Sequence, residues 1–374
     1  MIFERHYKLN YLKAITTSKE SDFRAYQNSG AHMSRVFIGQ FGSQCLNYIL
    51  TEALGWIGAD AIIKPGARVF IKPNLTWRVP TLGVTVTPSF LRALVEVLLP
   101  ITSNITIGES EGGQSCFRAE DAFENHGLYA LEREYGIRIV NLSKCRHAVV
   151  NAIVNRKPVT VELPSLLLHE VDVFITVPVP KIHAMTGVSL GFKNQWGCLG
   201  DKMRVTQHPH FDSAVIAINK LLKPRLCIFD GSYFLDHTGP MMGEAIPMNL
   251  IVAGDDVGAA SLACCEIMQI DPMSISHHRV ARNEGIFPRS VEEIQFNRTP
   301  RQFAHRKFRL RRATINYIHL AAFRNGLINR AFYNSVFADG LHEFLWLIRR
   351  NALVKRFLYG QHGTGEANRG GREA

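Results

Sequence analysis

None of the seven cysteines forms a CxxC pair or a CxxCxxC run. An odd, scattered set (Cys45, Cys116, Cys145, Cys198, Cys227, Cys264, Cys265) argues against a disulfide framework and points to a reducing compartment. Each reads as a small core residue. No run approaches the ~18–20 uninterrupted apolar residues of a spanning helix. The start, MIFERHYKLNYLKA, lacks the zones of a secretory signal, so the expected location is the cytoplasm. Walker A and HExxH are both missing, which removes the P-loop and the zincin site. No RNA- or DNA-binding motif occurs, so nucleic acid is not an expected partner.

What is present suits a folded chain: 46% hydrophobic and 20% charged residues, with length for one large domain or two smaller ones. The net charge of +11 is unevenly placed. Residues 301–360 hold twelve Lys or Arg against Asp339 and Glu343, and the last fourteen residues balance, which leaves about +1 for residues 1–300. A neutral body with a basic end suggests an appended partner-binding element.

Residues 1–40 show weak periodicity and read as a lead-in that holds at most a helix or a short strand. A helical face (Leu46, Ile49, Leu50, Leu54) follows over Cys45–Ile62. Then short apolar runs each end in a polar cluster. ARVFI runs into Lys72-Pro73-Asn74, ITI into Gly108–Gly113, and VDVFITV into Pro178–His183. RLCIF runs into Asp230-Gly231, and NLIVA into Gly254-Asp255-Asp256. Helical patterns lie between some of them, at Pro88–Leu99, Ala119–Tyr135 and Ser213–Leu222. Apolar strands without alternation, separated by helices, predict an α/β fold: a mostly parallel sheet covered by helices on both faces. All five clusters then fall at strand C-termini, where the crevice of such a sheet lies.

That domain is expected over 41–300. Residues 286–302 read as a loop with a short helix or strand. A basic amphipathic helical extension is expected over 301–360, with hydrophobic segments at Ile315–Leu327 and Leu341–Leu358, and a disordered tail over 361–374. Such helices either dock on an acidic protein or a membrane surface through residues 303–358, or pack on the body with solvated arginines.

The densest chemistry lies in VDVFITVPVPKIHAMTGVSLGFKNQWGCLG. Lys181 and His183 sit two apart in a segment held extended by prolines, so both point to one side. Lysine pairs with phosphate or carboxylate, and histidine donates, accepts or binds metal. The bland alternative is a surface lysine beside a loop-capping histidine. Lys193 and Asn194 follow, with Gly191 and Gly197 allowing close backbone approach. This set suits an anionic ligand.

Lys72 and Asn74 add a cation and an amide. Glu109 and Glu111 could join Asp230 around a hard cation, or Glu109 could simply cap its turn. Gly112 and Gly113 could offer N–H groups to a phosphate. Gly239 to Gly243 reads as a rigid turn lining the cleft. His208, His210, His277 and His278 are further candidate ligands without a spaced third partner.

The ordered motifs RVFIKPNL, IGESEGG, VPVPKIHAMTGVSLGFKNQWGCLGDK, FDG, GPMMG and IVAGDD resemble the DUF362 family, over about Ala61 to Phe287. The resemblance implies the α/β fold and a site at Lys72, Pro73, Asn74, Lys181, His183, Lys193, Asn194, Gly197, Asp230, Gly231, Gly239 and Pro240. It supplies no reaction. Some members append a ferredoxin-like iron–sulfur module with clustered cysteines; this chain has none, and no integral cluster is expected. A second family aspartate, five residues past Asp255, is here Ala260.

The leading expectation is an enzyme acting on an anionic small molecule, phosphate- or carboxylate-bearing. Catalysis falls to His183 as acid/base with Lys181, Glu109 and Asp230. Binding falls to Lys72, Asn74, Gly112, Gly113, Lys193, Asn194, Gly239 and Gly243. The cofactor is open, a divalent metal being one option. The rivals are a non-catalytic ligand- or cofactor-binding protein held peripherally at a membrane or on an acidic partner by its basic helices, and a metal or redox protein served by a separate ferredoxin.

Overall fold

In a computed structural model of the chain, residues 33–42, 45–312 and 314–333 are described. The expected lead-in up to residue 32, the segment Leu341–Leu358 and the tail 361–374 lie outside them. The apolar runs become strands: β1 (Ser34–Gln40), β2 (Val69–Pro73), β3 (Ile105–Glu109), β4 (Arg138–Asn141), β5 (His147–Val154), β6 (Lys157–Pro164) and β7 (Val173–Val177). They continue with β8 (Lys181–His183), β9 (Gly187–Ser189), β10 (Leu226–Asp236), β11 (Glu244–Gly254) and β12 (Ile294–Phe296). The main sheet runs β12-β1-β11-β10-β7-β2-β3-β4, while β5 and β6 form a separate ribbon. From β10 through β7, β2 and β3 to β4 every pairing is parallel.

Period-two alternation sends successive side chains to opposite faces, and each face has its own core. Phe70, Phe174, Cys227, Phe229, Leu250 and Val252 pack on one side with the helices Phe211–Leu222 and Val257–Met268. Ile71, Ile175, Ile228 and Ile251 pack on the other with Leu46–Trp56, Pro88–Leu98, Ala119–Asn125 and Leu128–Tyr135. This is the α/β architecture the apolar runs predict. Among the described residues no helix is long and apolar enough to cross a membrane.

Several details differ from the expectation. β11 runs antiparallel to β10, and β1 antiparallel to β11. The Asp255–Asp256 cluster therefore lies at the opposite edge from the ends of β2, β3 and β7. There Asp255 pairs with Arg35, and Asp256 caps a helix by accepting from the Ala259 N–H at 2.7 Å. β1 begins within the stretch expected as a lead-in and joins the sheet. The single helix expected over Ala119–Tyr135 breaks at Gly127, whose φ of 71° ends one helix and caps the next.

The first residues of the expected extension form a 3₁₀ turn, Pro300–Phe303, and then irregular chain in place of an α-helix. They are strapped to the β10–β11 hairpin: Phe303 and Phe308 are buried, and Phe308 packs 5.8 Å from Phe234. Arg306 reaches Asp236 at 3.1 Å and Glu244 at 2.6 Å, and Arg312 Nε donates to the Ala184 carbonyl at 2.7 Å. Among the described residues, helices follow at Thr314–Arg324 and Gly326–Tyr333, separated by Asn325, whose side chain accepts from the N–H groups of Leu327 and Ile328. A chain cut before the strap loses core contacts. Phe308→Ala is expected to lower unfolding stability by about 3–5 kcal/mol, measured by urea denaturation; an unchanged midpoint would mean the strap is peripheral.

Candidate functional site

The ends of β2, β3 and β7 meet the loop from Pro178 to Gly200. Lys72, at the end of β2, is 1% exposed. Its ammonium donates to Glu109 Oε2 at 2.5 Å and to the Pro73 carbonyl at 2.7 Å. Glu109 also accepts from the backbone N–H groups of Leu75 and Ser110, so both ions are fully engaged inside the protein. Gly197 lies directly over the pair: a Cβ there would stand 2.7 Å from Glu109 Oε1 and 3.0 Å from Lys72 Nζ. Only glycine lets the loop close on this ion pair.

Beside it runs a buried relay of amides. Lys181, in β8, donates to the Val84 carbonyl and to Asn74 Oδ1, the latter at 3.0 Å. Asn74 Nδ2 donates to Asn194 Oδ1 at 3.1 Å. Asn194 Nδ2 donates to the Lys72 carbonyl and to Thr176 Oγ1, both at 2.9 Å. Thr176 Oγ1 donates to Gln195 Oε1 at 3.0 Å, and Gln195 Nε2 to Asn219 Oδ1 at 2.8 Å. Asn219 closes the chain on the carbonyls of Phe192 and Val215. Each donor has an acceptor, which makes burial of so many polar groups tolerable and fixes the loop to β2, β7 and the helix Phe211–Leu222. Burial, and next the charge of Lys193, push the Lys181 pKa well below the ordinary lysine value.

Lys193 differs from both other lysines. It is half-buried, and among the described residues it forms no ion pair or hydrogen bond. Burial, with the Arg204 charge adding, holds its pKa down at about 8. Its charge acts on His183, His208 and His277 alike. The half-buried Arg204 hydrogen-bonds only to carbonyls, of Glu111 at 2.8 Å and Asp201 at 3.2 Å. Two cations therefore lie near each other with no acid paired to either among the described residues.

His183 is 8% exposed, and its Nδ1 accepts from the N–H groups of Met185 (3.1 Å) and Thr186 (3.3 Å). His183 thus caps its loop as the bland alternative has it: Nδ1 must be bare, so the hydrogen of the neutral ring sits on Nε2. Burial, then the charges of Lys193 and Lys181, hold its pKa well below the usual histidine value. His208 is stacked on Trp196 (5.9 Å) and packed against Phe323 (4.6 Å), and burial lowers its pKa to about 3. His277 is fully buried with neither ring nitrogen hydrogen-bonded.

The remaining candidates serve elsewhere. Asp230 accepts from the Thr87 N–H (2.7 Å) and from both the N–H and hydroxyl of Ser232, while burial pushes its carboxyl pKa up. Glu111 is held by the Ala119 N–H and by Asn141. Glu109, Glu111 and Asp230 do not come together as a metal-binding group, which corrects the hard-cation expectation. The one such grouping among the described residues, Asp236–His237–Glu244, already receives the Arg306 guanidinium. The Gly112 N–H is bound to the Phe117 carbonyl; Gly113 starts a 3₁₀ turn beside it. The Gly239 carbonyl accepts from the Ala184 N–H behind β8, and Gly243 packs against the Asp236 carbonyl.

Composition gave no hint of Gln195, Asn219 or Arg204. A polar residue on the buried face of FDSAVIAINKLL was the available signal for Asn219. Glu109→Gln leaves the buried Lys72 charge uncompensated and is expected to cost about 3–5 kcal/mol of unfolding stability. A thermal melt matching the wild type would show that the pair does not anchor the loop.

A family model described as "Domain of unknown function (DUF362)" matches residues 69–266. A thylakoid-associated protein of Synechocystis sp. is 29% identical over 251 residues, covering 65% of this chain and 75% of its own length. Two solved structures are more distant. The lactate racemase apoprotein of Thermoanaerobacterium thermosaccharolyticum has a TM-score of 0.38 at 14% identity, over 62% of this chain and 53% of its own. A Thermotoga maritima protein has a TM-score of 0.37 at 15% identity, over 61% and 60%. The chain thus spans only about half to three-fifths of those two proteins. The family match takes in more than half of the chain, from β2 through β11, including the loop that carries Lys181, His183 and Lys193, and the protein belongs to the DUF362 family.

Proposed function

We propose that the pocket around Lys193 binds an anionic small molecule, phosphate- or carboxylate-bearing, and that the protein acts on it by proton transfer. The observation that carries this reading is Lys193 itself: a half-buried ammonium without an acid partner, beside Arg204 and three imidazoles. An isolated cation in such a setting is costly, and a bound anion is the natural counter-charge. Lys72 and Lys181, whose donors are taken up internally, support the loop in this reading and do not touch the ligand.

The roles divide between the two free groups. His183, neutral with its hydrogen on Nε2, donates to a ligand oxygen and stabilises charge that develops there. Lys193, poised near neutrality, is the group that can carry a proton to or from the ligand. Glu109 and Asp230 act by holding Lys72 and the Thr87 turn in place.

Equilibrium binding of inorganic phosphate and of malonate tests this. Lys193→Met is expected to weaken one or both by roughly 10- to 100-fold, with Lys193→Arg retaining binding; wild-type affinity in the methionine variant would sink the proposal. The pH dependence has a definite sign. The ammonium form attracts the anion, so affinity is full below about pH 8 and declines as the pH rises through it. His183 stays neutral over this range, so with sulfate as the probe, an anion that does not itself titrate here, no inflection is expected near the ordinary histidine value. A single step near that value would mean that His183 titrates in place of Lys193.

A further inference from the structure

We propose that the helix pair Thr314–Arg324 and Gly326–Tyr333 is a docking surface for an anionic lipid membrane. Residues 301–333 contain eight Lys or Arg and no Asp or Glu. Three of these cations are engaged with the body: Arg301 with Glu266, Arg306 with Asp236 and Glu244, and Arg312 with the Ala184 carbonyl. Arg324 and Arg330 are exposed and in no ion pair among the described residues. Asp212, which Arg324 influences from a distance, is hydrogen-bonded to Ser276. Both guanidiniums line one groove of about 660 Å³, shared with His210, Asn325 and Leu327.

Apolar groups stand out from the same surface. Leu327 is 80% exposed, Tyr317 60% and Ile328 37%. Helical spacing sets Tyr317, Ala321 and Arg324 along one face of the first helix and Leu327 with Arg330 along one face of the second. The opposite sides are used: Ala322 is buried, Phe323 packs on His208 and Phe211, and Asn329 donates to the Val205 carbonyl. Exposed leucine and tyrosine beside unpaired arginines match the interface of an anionic bilayer, which takes apolar side chains into its acyl boundary while its headgroups meet the cations. An acidic protein or a nucleic acid would meet the charges and leave Leu327 in water. The mode proposed is adsorption of this exposed face at the headgroup level.

The test is co-sedimentation of the full chain with vesicles of phosphatidylcholine, alone or mixed with phosphatidylglycerol. Binding is expected to the mixed vesicles only. Arg324→Gln with Arg330→Gln should weaken it roughly 30-fold. Leu327→Gln should weaken it on its own, and Arg324→Lys with Arg330→Lys should retain it. Wild-type binding by the glutamine double variant overturns the assignment, as does failure of the wild type to sediment with mixed vesicles. Full competition by soluble polyglutamate, with Leu327→Gln neutral, also overturns it and points to an acidic protein. All three positions are exposed, so melting temperatures should match the wild type. If the glutamine double variant melts early, the lysine pair and Leu327→Gln decide the matter.

Discussion

The buried ion pair of Lys72 and Glu109, under Gly197 and beside the amide relay, is the constraint from which the site follows. A charge taken out of water must be paired and hydrogen-bonded, and Lys72 and Glu109 meet that demand through each other, the Pro73 carbonyl and the N–H groups of Leu75 and Ser110, while Gly197 of the loop after β7 closes over them. The relay adds direction. Each amide in it has a donor and an acceptor already assigned, so Asn74, Asn194, Gln195 and Asn219 can each adopt one orientation. The loop carrying His183 and Lys193 is thereby fixed on a rigid base, as a binding site requires.

Three lysines at the same sheet edge come to different uses because of the acceptors each can reach. Lys72 meets a carboxylate, Lys181 meets a carbonyl and an amide oxygen, and Lys193 meets none. Burial first, and then the charges of Lys193 and Lys181 on His183 and of Lys193 and Arg204 on His208, keep these imidazoles neutral.

Much of this was legible in the chain. Runs such as VFI, ITI and VFITV announced buried strands, and the polar residues after them announced the edge where the site lies. Strand direction was not legible: NLIVA reads the same in a parallel or an antiparallel strand, so Asp255 and Asp256 were placed at the wrong edge. The partner of a lysine is not legible either, because Glu109 is 37 residues from Lys72 and Asn74 is 107 from Lys181. A KxH motif tells which groups are present but not which of them is spent on the fold. The strap at Phe303–Arg312 was hidden for a related reason. Its arginines dominate the composition, whereas its placement is decided by two phenylalanines and by Asp236 on a distant hairpin.

The 3₁₀ segment Arg204–His210 joins the two surfaces of interest. Arg204 lies near Lys193, His208 is packed between Trp196 and Phe323, and Thr206, Pro209 and His210 line the groove with Arg324 and Arg330. The helix Thr314–Arg324 consequently covers one side of His208 through Phe323. A basic end added to such a body is more than a charged appendage. Removing it would expose the Trp196–His208 stack and rehydrate an imidazole whose neutrality depends first on burial.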